Sequence, residues 1–93
     1  MLEMILKIRG KVQRVGFRYS VVEYVQNSQL PIYGYVRNLP DGSVEVLAQG
    51  SIEDLKGLHR FATKGPEGSE VREVDEDLHP ITKLTYSSFA IID

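Results

Sequence analysis

The stretch Leu2–Pro31, LEMILKIRGKVQRVGFRYSVVEYVQNSQLP, changes its periodicity partway along, and that change decides the fold. Leu2, Met4, Leu6 and Ile8 alternate with Glu3, Ile5, Lys7 and Arg9, a period of two that predicts a strand with one buried face. Gly10 is expected to end it. Beyond a short segment from Gly10 to Gly16, residues Phe17, Val21, Tyr24, Val25 and Ser28 recur at helical spacing and predict a helix over 17–29. Leu30 and Pro31 close that helix, because proline lacks an amide hydrogen and pushes the preceding residue out of the α region.

Working outward, Ile32–Asn38 and Ser43–Gln49 read as two strands joined by the turn Leu39-Pro40-Asp41-Gly42. Ser51, followed three residues later by Asp54, is a helix-capping arrangement. The helix after it carries Ile52, Leu55, Leu58, His59, Phe61 and Ala62 as a stripe until Gly65-Pro66 stops it. Glu70–Leu78 and Leu84–Ile92 read as further strands, with His79-Pro80 turning between them. The order is β-α-β-β-α-β with a short extra strand. This is the split βαβ arrangement of ferredoxin-like α+β folds, expected as one antiparallel sheet with two helices on one face.

Ninety-three residues suit a single domain over 1–93, and no repeat or linker interrupts them. No apolar run approaches the roughly 20 residues a membrane-spanning helix needs, and Glu3 and Lys7 break any signal-like core at the start. The chain has no cysteine, which excludes disulfides and thiolate chemistry and fits a cytoplasmic protein. A monomer is the expected state. The net charge of −2 is unevenly spread. No acid lies between Glu3 and Glu23, an interval holding Lys7, Arg9, Lys11, Arg14 and Arg18, whereas Glu67, Glu70, Glu73, Asp75, Glu76 and Asp77 crowd one later stretch. Both runs are compatible with solvated surface. The basic one is also compatible with an anion site.

The segment from Ile8 to Phe17 brings backbone amides and a helix N-terminus beside Arg18. Unpaired N–H groups and the helix dipole favour an anion there, and a guanidinium can grip two oxygens at once. Glycines at a strand-to-helix turn also occur for purely steric reasons, so the local pattern alone leaves both readings open.

Gly10-Lys11-Val12-Gln13-Arg14-Val15-Gly16-Phe17-Arg18 resembles the acylphosphatase signature Gly-x-Val-Gln-Gly-Val-x-Phe-Arg. Gly34-Tyr35-Val36-Arg37-Asn38, with Gly42, Val44 and Gly50, resembles the second pattern of the same family, and the resemblance extends through Gly65-Pro66 to Tyr86–Ile91. It implies hydrolysis of a carboxylic–phosphoric mixed anhydride, an acyl phosphate, to carboxylate and inorganic phosphate without metal or organic cofactor. It further implies that the amides of Arg14, Val15, Gly16, Phe17 and Arg18 face the phosphoryl oxygens, that the Arg18 side chain holds them, and that Asn38 orients the attacking water. Gln13 is expected to support the loop. One residue departs from the pattern: Arg14 stands where the family usually has glycine. The motif also occurs inside larger hydrogenase-maturation carbamoyltransferases, but a stand-alone role is expected here.

His59 and His79 lack a paired carboxylate pattern and read as structural or surface residues, so no metal site is predicted. Two rival functions share the topology. A binding-only domain would keep the cradle without turnover, with Arg14 as its hint. An RNA-binding module would stack bases on Tyr33 and Tyr35, but the third strand carries Glu45 and no aromatic residue. No nucleic-acid partner is therefore expected.

Overall fold

A computed structural model describes residues 1–92. Seven elements follow in order: β1 (Leu2–Lys11), α1 (Phe17–Asn27), β2 (Tyr33–Asn38), β3 (Val44–Gly50), α2 (Ile52–Lys64), β4 (Glu70–Pro80) and β5 (Phe89–Ile91). They build one sheet in the order β4-β1-β3-β2-β5. Alternation sends Met4, Leu6 and Ile8 of β1, Val36 of β2, and Val44, Val46 and Ala48 of β3 into the core, where Phe17, Val21 and Val25 of α1 and Leu55, Leu58 and Ala62 of α2 meet them. Each fully buried aliphatic or aromatic side chain contributes roughly 1.5–3 kcal/mol. The two helices also touch through Tyr24 and Phe61, stacked with ring centroids 4.6 Å apart.

The expected wholly antiparallel sheet requires a correction: β5 pairs with β2 in parallel. After β4, the chain crosses the end of the sheet and settles beside β2 at the far edge. Ile81 N–H bonds the Met1 carbonyl, Thr85 bonds Gln49, and the Ser88 carbonyl accepts from Gly34 N–H along that path. A strand reached by such a crossing need not reverse direction as a hairpin partner must. Of the expected strand 84–92, Phe89–Ile91 forms the strand, flanked by the Ser88 carbonyl and the Ile92 amide, which also bond to β2.

β2 and β3 shift by single residues, to Tyr33–Asn38 and Val44–Gly50, and three other boundaries differ more. β1 continues through Gly10 to Lys11, past a register shift against β4; a side chain at Gly10 would put its Cβ 2.0 Å from the Glu70 carbonyl oxygen. Glycine therefore permits close strand approach there instead of ending the strand. His79-Pro80 belongs to β4, with Pro80 opposite Leu2; proline is tolerated because β4 is an edge strand. Helix α1 stops at Asn27, where Gln29 takes a left-handed conformation at φ 52°. Its amide bonds Gln26 O, and the Leu30 amide bonds Val25 O, a Schellman closure normally built with glycine.

The acid-rich stretch lies largely on β4. Glu73 and Asp75 pair with Arg9 of the neighbouring strand. Charged side chains along an edge discourage pairing with another chain.

Candidate active site

Val12 and Phe17, 1% and 2% exposed, anchor the two ends of the loop that joins β1 to α1. Burial of both fixes where the intervening residues and the first turn of α1 must lie. Arg14 and Gly16 adopt left-handed backbone at φ 63° and φ 74°. Alternating left-handed residues turn successive N–H groups toward one side, the geometry of an anion-binding nest. The first backbone bond of the helix joins Ser20 N–H to Gly16 O, at 3.0 Å. Among the described residues, the amides of Arg14, Val15, Gly16, Phe17 and Arg18 have no acceptor. No side chain caps the helix and no acid occupies its first turn, so its positive end is unopposed there.

Arg14, Gly16, Phe17 and Arg18 line a depression of about 120 Å³, and Asn38 of β2 lines its other side. Asn38 is the last residue of β2 and lies on the same side of the strand as Val36. Its Oδ1 is buried and has no hydrogen-bond partner among the described residues. A buried amide oxygen without a donor is costly, typically about 1–3 kcal/mol, and such exceptions mark sites kept for another purpose. The Val15 side chain packs partly against the core and leaves the lining to its neighbours, while its amide stays without an acceptor. Val12 lines the depression as well, and Tyr19, 66% exposed, and Ile91 of β5 complete the lining. The sequence pattern around neither of these last two distinguishes it: Tyr19 follows the motif, and Ile91 arrives through the crossing from β4.

Gln13 points away from the depression, toward the β2–β3 turn. Its Nε2 donates to the carbonyl oxygens of Leu39 and Ser43, both at 2.9 Å. These carbonyls already accept from Gly42 N–H and Leu39 N–H within the turn, so Gln13 occupies their second acceptor positions. Asp41 closes the same turn: its carboxylate accepts from the amide and hydroxyl of Ser43 and pairs with Lys7 at 2.8 Å. Lys7 and Ser43 together hold the Asp41 carboxyl well below the usual range.

The acid-free interval of the sequence is therefore only partly free of acid in space. Lys7 meets Asp41, and Arg9 meets Glu73 and Asp75. Among the described residues, no carboxylate pairs with Lys11, Arg14 or Arg18, and the unbalanced positive charge narrows to the loop itself.

The histidines lie elsewhere. His59 Nε2 is 3.7 Å from Glu76, beside a separate cavity between α2 and β4, and His79 Nε2 is 2.9 Å from Glu3 on the open face of the sheet. Among the described residues, no three His, Cys, Asp or Glu side chains converge as metal ligands would. No helix is long and apolar enough to cross a membrane. On the open face, Tyr35 donates its hydroxyl to Glu45 at 2.9 Å, meets Tyr86 edge-on at 5.8 Å and lies under the Arg37 guanidinium at 5.6 Å.

The fold is an α+β sandwich of ferredoxin-like topology, with unpaired amides, an unpaired guanidinium and a residue with a buried amide oxygen gathered at one depression. A family model for acylphosphatase matches residues 4–91, and the chain belongs to the acylphosphatase family, enzymes that hydrolyse acyl phosphates. It is 48% identical over 71 residues to an acylphosphatase of Caldanaerobacter subterraneus subsp. tengcongensis, covering 76% of this chain and 77% of the relative. An acylphosphatase of Marinobacter nauticus is 42% identical over 78 residues, 84% of this chain and 83% of the other. The crystal structure of an acylphosphatase from Bacillus subtilis superimposes with a TM-score of 0.90 at 29% identity, covering 100% of both chains.

Proposed function

We propose that the depression between the β1–α1 loop and Asn38 hydrolyses acyl phosphates by direct attack of water on phosphorus. The amides of residues 14–18 and the Arg18 guanidinium bind the nonbridging phosphoryl oxygens. Charge that develops on those oxygens in the transition state meets donors already in place. Asn38 Oδ1 accepts a hydrogen bond from the water and holds its oxygen in line with the bond to be broken. As the new P–O bond forms, the bond from phosphorus to the acyl oxygen breaks. The carboxylate departs with that electron pair, and the phosphoryl group takes the proton released by water. An amide side chain is too weak a base to remove that proton, so positioning is its contribution.

The observation that carries this reading is the buried, unpartnered Oδ1 of Asn38, a residue that lines the same depression as Arg18. In the same reading the protein acts as a monomer in the cytoplasm, on a small molecule and without metal, organic cofactor or nucleic acid. The engagement of Tyr35 by Glu45, Tyr86 and Arg37 leaves its ring poorly placed for base stacking, which supports the last point.

Benzoyl phosphate hydrolysis by the natural protein, Arg18→Ala and Asn38→Ala provides the test, with folding of each verified by circular dichroism. Both variants are expected to fold and to lose at least about 100-fold in rate. Binding of inorganic phosphate should weaken in Arg18→Ala and persist in Asn38→Ala. Near-normal turnover by either variant removes that residue's role; phosphate binding without turnover in the natural protein would establish the binding-only alternative.

A further inference from the structure

We propose that Arg14 selects acyl phosphates whose acyl group carries a negative charge of its own, such as a second carboxylate; this rests on the hydrolytic reading above. Arg14 occupies a left-handed backbone position, φ 63°, that glycine fills without steric penalty. Gly16, the loop's other left-handed residue, is glycine. Backbone strain at a residue that lines the candidate site, unlike the strain at Gln29 away from it, points to a use for the side chain.

Its surroundings indicate the use. Arg14 is exposed while Arg18 is half-buried, and both line the depression. Arg9, Arg37 and Arg72 each have a carboxylate partner; among the described residues Arg14, Arg18 and Arg60 have none, and of these Arg14 and Arg18 line the depression. The amides and Arg18 already answer the phosphoryl charge. A substrate seated with its phosphate inward directs its acyl group toward the mouth, where a neutral group gives the exposed guanidinium nothing to bind. A carboxylate there matches the two-pronged geometry of arginine.

The test compares benzoyl phosphate with its 3-carboxy and 4-carboxy derivatives, which share a ring and differ in charge. The readout is the ratio of kcat/KM for a carboxylated substrate to that for benzoyl phosphate. In the natural protein the better carboxylated substrate is expected to be favoured roughly two- to fivefold, the size of an exposed ion pair. Arg14→Gly and Arg14→Asn, both compatible with left-handed backbone, should abolish that preference, and Arg14→Lys should keep part of it. The preference should also shrink as salt is raised. A ratio unaltered by Arg14→Gly overturns the proposal. Kd values for benzylphosphonate and 4-carboxybenzylphosphonate separate the two ways of failing. No turnover, with an Arg14-dependent Kd preference intact, refutes the hydrolytic reading and upholds the charge selection.

Discussion

Gln13 Nε2 lies 2.9 Å from the Leu39 carbonyl oxygen and so fastens the β1–α1 loop to the residue that follows Asn38. The two halves of the proposed site come from different parts of the fold, one after β1 and the other at the end of β2. This contact, with its companion to Ser43, sets their separation.

Gln13→Ala is therefore expected to lower kcat about tenfold or more while changing KM much less, because displacement of the water-holding group costs more than loosening of the phosphate grip. Stability should fall by only about 1–2 kcal/mol, since both carbonyls keep a backbone donor. Steady-state kinetics and urea unfolding measure the two effects. A loss confined to KM would place Gln13 in phosphate binding instead.

Among the described residues, Arg14 and Gln29 are the non-glycine residues with positive φ, at 63° and 52°. Left-handed backbone costs such residues roughly 1–2 kcal/mol, partly offset by the greater freedom glycine has when unfolded. Arg14→Gly and Gln29→Gly should each stabilise the protein by about 0.5–1 kcal/mol, seen as a higher urea midpoint at unchanged slope. Gln29 closes the far end of α1, so its replacement should leave kcat/KM as it was. A lower midpoint in either variant would show that its side chain makes contacts outweighing the backbone penalty.

Burial, and then the hydrogen bond to Glu45, push the Tyr35 hydroxyl up to about 12. The folded protein thus favours the neutral phenol over an ordinary pKa of about 10. The resulting stabilisation is fully present below pH ~10 and is lost as pH rises from there through about 12. Titration of phenolate absorbance should show one late component, absent in Tyr35→Phe and moved to lower pH in Glu45→Gln. If Tyr35→Phe leaves the late component in place, another tyrosine carries it.

What could be read from the sequence divides by the distance over which each feature is decided. The β1–α1 loop and the turn after Asn38 are local, and Gly16, Phe17 and Pro40 mark them within a few residues. Family resemblance added the roles proposed for Arg18 and Asn38, which periodicity alone left open. The partners of Lys7 and Arg9 could not be seen, because Asp41, Glu73 and Asp75 reach them only through tertiary placement. Pro80 looked like punctuation; only its place on an edge strand makes it part of β4. The parallel β5 and the contribution of Ile91 depend on a crossing held by Gln49 and Thr85, for which no short pattern exists.

The location of β1 inside the sheet bears on how the chain reaches its folded state. Leu2 faces Gly50 on one side and Pro80 on the other, so the first strand finds both neighbours only after long stretches of chain have been brought back to it. Closing such loops costs entropy before the contacts repay it, which slows folding. The loop at Arg14 follows β1 directly and cannot be held until that strand has docked. In the proposed reading, phosphate therefore recognises the assembled sheet and not its parts, and acts by mass action on the completed fold.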